Sequence, residues 1–261
     1  MFYRVANEMK RLIHRSISIT KREGIISLFM KQIKELTHVL LIPYFIFMSK
    51  IFYSSQVDLN SLIHFAIKGC NNILEVSQEP KEIYTFLDFV KKKVESVNIC
   101  MEIGTAKGGT LFLLSRIISQ NGILISIDLP YGNFGGGYFC WRIPLYKSFV
   151  NWKQKMVLIR DNSHQDSVQN NVLKVLNNRK LDILFIDGDH SYEGVKQDFE
   201  DYSKFVRNYG LIAFHDITVQ GMENDTDYGV HKFWNEIKNK YPYQEFCFNN
   251  GPGIGVIEYY L

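Results

Sequence analysis

The chain has little of what marks a secreted, repetitive or membrane-spanning protein. It holds four cysteines in 261 residues, and Cys70, Cys100, Cys140 and Cys247 lie 30, 40 and 107 residues apart. That spacing fits neither a zinc-ligand pattern nor a dense disulfide framework, so they read as reduced thiols of a cytoplasmic protein. No apolar run reaches the ~18 residues a bilayer requires. The longest nearly charge-free run, Leu36 to Ser49, has 14 residues and is bounded by Glu35 and Lys50, with no signal-type cleavage site after it. Charge of one sign is scarce overall, with a net +3. Its distribution is uneven: nine Lys/Arg and three Glu fall in residues 1–50, leaving the remainder slightly acidic. A nucleic-acid enzyme would spread its basic residues along the catalytic surface, so nucleic acid is discounted as a partner, and an anionic membrane or acidic protein is considered for residues 1–50.

The hydrophobic and charged fractions, 46% and 22%, are ordinary for a globular chain, and 19 Phe with 15 Tyr supply ample material for a core. Disorder and repeat architectures are poor explanations. Residues 1–80 read as a helical N-terminal extension, with Ile25, Ile26, Phe29, Ile33 and Leu36 near helical spacing and Lys31 and Lys34 between them. A membrane-surface helix and a lid or homo-oligomer arm are both open for it. Pro43 should kink or end a helix through the apolar run.

Residues 81–261 read as one α/β domain. Short apolar runs at Val97–Ile103, Gly122–Asp128, Met156–Arg160, Leu181–Ile186 and Leu211–Phe214 alternate with amphipathic stretches. The helices expected between them are Gly108–Ser119, His164–Asn177, Tyr192–Asn208 and Val230–Lys240. Such alternation specifies a doubly wound, mostly parallel sheet covered on both faces. Tyr243–Phe248 and Ile254–Tyr260, separated by Asn249-Asn250-Gly251-Pro252-Gly253, add a terminal antiparallel hairpin and bring the strands to seven.

The first strand runs into Glu102-Ile103-Gly104-Thr105-Ala106-Lys107-Gly108, a turn that opens a helix. Glycines there let backbone approach a ligand, but Ala106 stands where a dinucleotide fingerprint has its second Gly-bearing step, and Glu102 suits a ligand carrying an amino group. Asp128, 24 residues after Gly104, ends strand two, where a carboxylate can accept both ribose hydroxyls. A nucleoside-containing ligand is indicated. Asp187 and Asp189 end strand four, and His215 with Asp216 end strand five. These strand ends share one edge, and a divalent cation of the magnesium or manganese kind relieves the repulsion of convergent carboxylates. The alternative is that Asp187 and Asp216 cap their loops and His215 is a buried, hydrogen-bonded histidine. His190 is a candidate general base or a helix-entry residue. The loop 131–147 holds four glycines and six aromatics. It reads either as a cover, with Phe134, Tyr138 and Trp141 excluding water and Arg142 attracting an anionic acceptor, or as packing over the sheet edge.

The segments EIGTAKGGT, ISIDLP, LIRDNSHQD, LFIDGDHSYEGVKQDF and GLIAFHDI resemble class I S-adenosylmethionine-dependent methyltransferases, in the branch of catechol O-methyltransferase and the cephalosporin hydroxylase group. The resemblance covers about residues 80–261 and implies a Rossmann-like methyltransferase fold. It implies that Glu102, Gly104, Thr105 and Gly108 line the methionine end of the cofactor, that Asp128 holds its ribose, and that Asp161, Asn162 and Ser163 lie near the adenine. Asp161 could equally cap the next helix. It further implies a metal held by Asp187, His215 and Asp216, with Asp187 and His190 catalytic. Relatives usually present a carboxylate at the His215 position, and an imidazole there shifts the preference from Mg2+ toward Mn2+, Fe2+ or zinc. The expected reaction is metal-assisted O-methylation of a small-molecule or sugar hydroxyl. The alternatives are a non-heme iron oxygenase using Asp187, His190 and His215, and a noncatalytic membrane-associated subunit.

Overall fold

Strand β1, Val97–Ile103, is an apolar run with Glu102 as its one charged residue, and it lies in the interior of the sheet. The structure, a computed structural model, describes residues 33, 36–52, 57–68, 73–130, 132, 137–218 and 228–260. Ile25, Ile26, Phe29, Lys31, Lys34, Cys70, Tyr131 and Phe134 therefore lie outside the described residues. The chain divides into two compact units, Met1–Phe45 and Ile46–Leu261. Helix α1 covers 36–52, and its helical backbone runs through Pro43 rather than ending there. The ring removes one backbone donor, and the hydrogen bonds of the neighbouring turns carry the helix on.

Within the second unit the order is α2 (Leu59–Lys68), α3 (Pro80–Lys93), β1, α4 (Gly109–Leu114), β2 (Ile118–Ile127), α5 (Ile143–Lys147), β3 (Lys155–Ile159), α6 (Asp166–Leu176), β4 (Leu181–Ile186), α7 (Tyr192–Tyr202), β5 (Val206–His215), α8 (Val230–Ile237), β6 (Tyr243–Phe246) and β7 (Ile254–Tyr259). The seven strands form one sheet in the order β3-β2-β1-β4-β5-β7-β6. The first five are parallel, and β7 runs antiparallel to both β5 and β6. Chain order reverses between β1 and β4, which opens a crevice at their carboxyl ends.

Alternation along β1 divides the core. Ile99, Met101 and Ile103 join the apolar cluster that includes Val172 of α6, Val195 of α7 and Trp234 of α8. On the other side the rings of Phe86 in α3 and Phe185 in β4 lie 5.5 Å apart. Strand β4 is buried at every position, as its unbroken LDILFI run suggests.

Two strands begin earlier than their apolar runs. Strands β2 and β5 both open with one buried residue and three less buried ones before the core run resumes. Their register slips against the neighbours between Val97 and Ile99 and between Leu181 and Ile183. The polar stretches Ser119-Gln120-Asn121 and Arg207-Asn208-Tyr209 are thus strand residues at a bulge. For that reason α4 stops at Leu114 rather than Ser119, and α7 stops at Tyr202, followed by a 3-10 turn over Ser203–Phe205.

Asp182 pins this irregular edge. Its Oδ2 accepts hydrogen bonds from the amides of Asn98 (2.7 Å) and Ile99 (2.9 Å), and its Oδ1 accepts one from Arg207 Nε (2.8 Å). Asp182→Ala strands two amides and removes the Arg207 ion pair, and is expected to cost about 3 kcal/mol in urea unfolding at neutral pH. A loss below about 1 kcal/mol, the scale of one ordinary hydrogen bond, would show that the carboxylate does not hold the bulge.

Candidate active site

The close approach of β1 and β4 sets the site. Gly104 has φ +90°, and a Cβ there would lie 1.8 Å from the carbonyl oxygen of Asp187. Only glycine allows the two strand ends to meet so closely. The crevice is a cleft of about 250 Å³, lined by Gly104, Asp128, Asp161, Asn162, Ser163 and Asp187 among others. Asp128 faces the glycine turn, its Oδ2 accepting the Ala106 amide at 2.9 Å. Ala106 holds the left-handed region at φ +43°, and the Tyr146 hydroxyl donates to its carbonyl at 2.8 Å. Burial pushes the Asp128 carboxyl up to about 7, against the backbone donors of Ala106 and Tyr138 and the charge of Arg160.

Three of the residues assigned to the methionine end stand behind the cleft rather than in its lining. Glu102 is fully buried, and its Oε2 accepts from Thr105 Oγ1 at 2.9 Å. Thr105 also shares a 2.7 Å hydrogen bond with Ser126. Burial raises the Glu102 carboxyl well above the usual carboxylate range, against the hydrogen bond from Thr105. Gly108, at φ +78°, gives room to the Tyr146 ring. The amide of Gly109, at the start of α4, is taken by the Glu75 carbonyl at 3.1 Å. These residues shape the turn, and backbone at Gly104 and Ala106 meets the cleft.

Asp161, Asn162 and Ser163 sit at the far end of the cleft, where Asp161 Oδ1 accepts the Asn162 amide and Asn162 Oδ1 accepts the His164 amide, both at 3.0 Å. Asp161 thus turns its own loop instead of capping α6, whose N-cap is Gln165. His164 also lines the cleft, with Nε2 3.2 Å from Oδ1 of the buried Asp198.

At the other end the acid and histidine residues converge. His215 Nδ1 lies 3.1 Å from Asp187 Oδ1 and 3.2 Å from Asp216 Oδ1. His190 bridges the same carboxylates, with Nε2 and Nδ1 each 3.5 Å from an oxygen of Asp187 and Asp216 respectively. Burial disfavours every charge here, yet mutual attraction prevails. The His215 imidazole is pushed up to about 10 by Asp187 and Asp216, and Asp187 is held below the usual carboxylate range by His215 and His190. His190 is likewise raised. Asp187, His190 and Asp216 each present a ligand atom within 4.8 Å of the others, a set of two carboxylates and an imidazole that fits a divalent cation. His215 lies beside that set, its Nδ1 facing Asp187 and Asp216 at 3.1 and 3.2 Å. Asp189 lines the cleft and accepts the Ser191 amide at 2.9 Å.

One central residue was invisible in the sequence. Gln78 donates from Nε2 to Asp187 Oδ2 at 2.9 Å and accepts from Thr110 Oγ1 at 2.7 Å, tying the glycine turn to the acidic cluster. It sits in a segment that carries no motif. The loop after β2 differs from its reading as an anion-attracting cover. Arg142 is buried, donates to the Ile73 carbonyl and stacks its guanidinium 4.6 Å from the Trp141 ring. Tyr138 is buried against Tyr146, with ring centroids 4.8 Å apart. These described residues pack the sheet edge, and none is available to an acceptor's charge.

A parallel five-strand core with an antiparallel closing pair, a nucleoside-sized cleft at the β1/β4 reversal and a carboxylate at the end of β2 define a class of fold and site. A family model for the methyltransferase domain matches residues 101–217. The chain is 30% identical over 169 residues to the uncharacterized protein R132 of Acanthamoeba polyphaga mimivirus, covering 59% of this chain and 69% of that one. It is 24% identical over 157 residues to the uncharacterized protein y4gI of Sinorhizobium fredii, of whose length it spans only 16%. Among solved structures it resembles the O-methyltransferase TomG of Streptomyces achromogenes in complex with S-adenosylmethionine (TM-score 0.53, 15% identity, 82% of this chain and 96% of that one). An O-methyltransferase of Bacillus cereus in complex with S-adenosylhomocysteine is similar (TM-score 0.51, 15% identity, 84% and 100%). The chain belongs to the methyltransferase domain family and has the Rossmann-like fold of the class I S-adenosylmethionine-dependent methyltransferases.

Proposed function

We propose that this chain transfers a methyl group from S-adenosylmethionine to a hydroxyl oxygen of a small molecule or sugar, with a divalent cation beside the acceptor. One observation carries the reading: Asp187 belongs both to the cleft that suits a nucleoside and to the cluster that suits a cation. S-adenosylmethionine supplies an already activated methyl on a sulfonium, so the protein's task is chiefly to position the two reactants. Asp128 would accept the ribose hydroxyls, Asp161, Asn162 and Ser163 would flank the adenine, and the backbone at Gly104 would meet the methionine end. Asp187, His190 and Asp216 would hold the cation, Mg2+ in the first instance and Mn2+ or Fe2+ as the imidazole allows. A cation there would lower the acceptor's hydroxyl pKa.

His190 has two roles open to it, third ligand or proton acceptor at Nε2, and the 4.8 Å convergence favours the ligand. Gln78 orients Asp187 from behind. Gln78→Leu is expected to slow turnover by about 10- to 100-fold, as the loss of a hydrogen bond behind a metal ligand does. Gln78→Glu, with an added negative charge beside Asp187, should be no better, and full activity in either variant would remove Gln78 from the site.

The reading is tested by incubating the full chain with methyl-labelled S-adenosylmethionine and a panel of phenolic, sugar and other hydroxyl acceptors. The expected result is label transfer to oxygen that stops in excess chelator and returns with Mg2+ or Mn2+. Undiminished transfer in chelator would overturn the cation's part, and label appearing only on nitrogen or carbon acceptors would overturn the O-methylation.

A further inference from the structure

Helix α1 leaves one face uncovered. In the first unit Leu36, Leu40 and Tyr44, spaced by four, are 62%, 72% and 53% exposed, with Val39 and Leu41 also exposed beside them. His38, Ile42 and Phe45 on the opposite side are buried. A four-residue period keeps Leu36, Leu40 and Tyr44 on one side of the helix over about 12 Å. Single exposed apolar residues are ordinary, but a continuous strip marks a surface with a partner. As the helix continues into the second unit, Phe47 and Ile51 are exposed in turn.

The charge pattern selects the partner. From Leu36 to Val57 there is no acidic residue, and Lys50 is the only Lys or Arg. Lys31 and Lys34 precede the strip in the sequence, and residues 1–50 carry nine Lys/Arg against three Glu. An apolar strip with basic flanks matches the interface of an anionic bilayer, where the side chains enter the acyl boundary and the cations meet phosphate headgroups. A second copy of this chain would set the same positive segment against itself. No helix among the described residues is long and apolar enough to cross a membrane, so the helix would lie in the surface plane.

We propose that the Leu36–Leu40–Tyr44 face of α1 docks the protein on anionic lipid surfaces. The proposal stands independently of the methyl-transfer reading.

The test is flotation of the full chain with vesicles of phosphatidylcholine alone or with roughly one-third phosphatidylglycerol. The expected bound fraction is about tenfold higher on the anionic vesicles and falls when salt is raised roughly tenfold. Leu40→Glu with Tyr44→Glu should abolish flotation while leaving calorimetric binding of S-adenosylhomocysteine unchanged. Absence of flotation on anionic vesicles, equal binding to both vesicle types, or undiminished binding by the folded double variant would overturn the proposal. A wild-type dimer that this variant dissociates, without vesicle binding, would overturn it in favour of a second copy. If the double variant fails to fold, the lipid and salt dependence of the wild type alone decides.

Discussion

Asp187→Ala is expected to lower methyl transfer by about 10³-fold or more while S-adenosylhomocysteine affinity stays within about threefold. The asymmetry follows from what Asp187 touches. Its Oδ1 faces His215 and His190 and its Oδ2 is held by Gln78, so the side chain serves the cluster. At the cleft its backbone crowds Gly104, and Ala keeps that backbone. Removing the carboxylate also takes from His215 the larger of the two attractions that raise it, leaving it with Asp216 alone, which lowers stability. Asp187→Asn keeps the volume and an oxygen for the Gln78 contact while removing the charge, so a comparison of the two variants separates folding from chemistry. Single-turnover rates, calorimetry and thermal melts on both provide the reading. Activity above about a tenth of wild type in a folded Asp187→Ala protein would take the carboxylate out of the reaction.

The second large effect is at Asp128. Asp128→Ala is expected to weaken S-adenosylhomocysteine binding by about 100-fold, the loss of two hydrogen bonds to a charged acceptor. Its pH dependence is distinctive. Burial raises the native carboxyl from an ordinary value near 3.8 to about 7, so the ligand-free protein binds a proton there that the unfolded chain has released. Stability from this group is therefore full below about pH 4 and declines as pH rises to about 7. Ribose hydroxyls donate to the ionised form, so affinity should increase by up to about tenfold per pH unit below pH 7 and level off above it, with proton release on binding. Asp128→Asn should flatten this profile and make the ligand-free protein more stable than wild type at pH 8. Calorimetry in buffers of different ionisation enthalpy measures the proton directly. A flat wild-type profile between pH 5 and 7 would contradict the assignment.

What was legible in the sequence was whatever depends on local pattern. Strands β1 and β4 match their apolar runs end to end because charged or turn residues bound them, and Asp128, Asp187 and Asp216 fall where acids at strand ends must fall in a parallel sheet. The early starts of β2 and β5 were hidden because polar bulge residues look like loop. Glu102 shows another limit: residue type and spacing say nothing about which side of the turn a carboxylate faces, and here it is fully buried. Arg142 repeats the lesson, since its partner, the Ile73 carbonyl, is 69 residues away. Gln78 reaches Asp187 across 109 residues of chain. No local signal encodes such a contact, which exists only once the segment before α3 is laid over the glycine turn.

The central claim is that one rim holds the nucleoside cleft and the cation cluster side by side, joined at Asp187. Paramagnetic relaxation tests it most directly, with Mn2+ loaded on the full chain and the proton resonances of bound S-adenosylhomocysteine observed. The account predicts strong broadening, greatest for the methylene protons beside the sulfur, and its disappearance in Asp187→Ala with the ligand still bound. Both ligands bound with those resonances left sharp would place the cation elsewhere and contradict it.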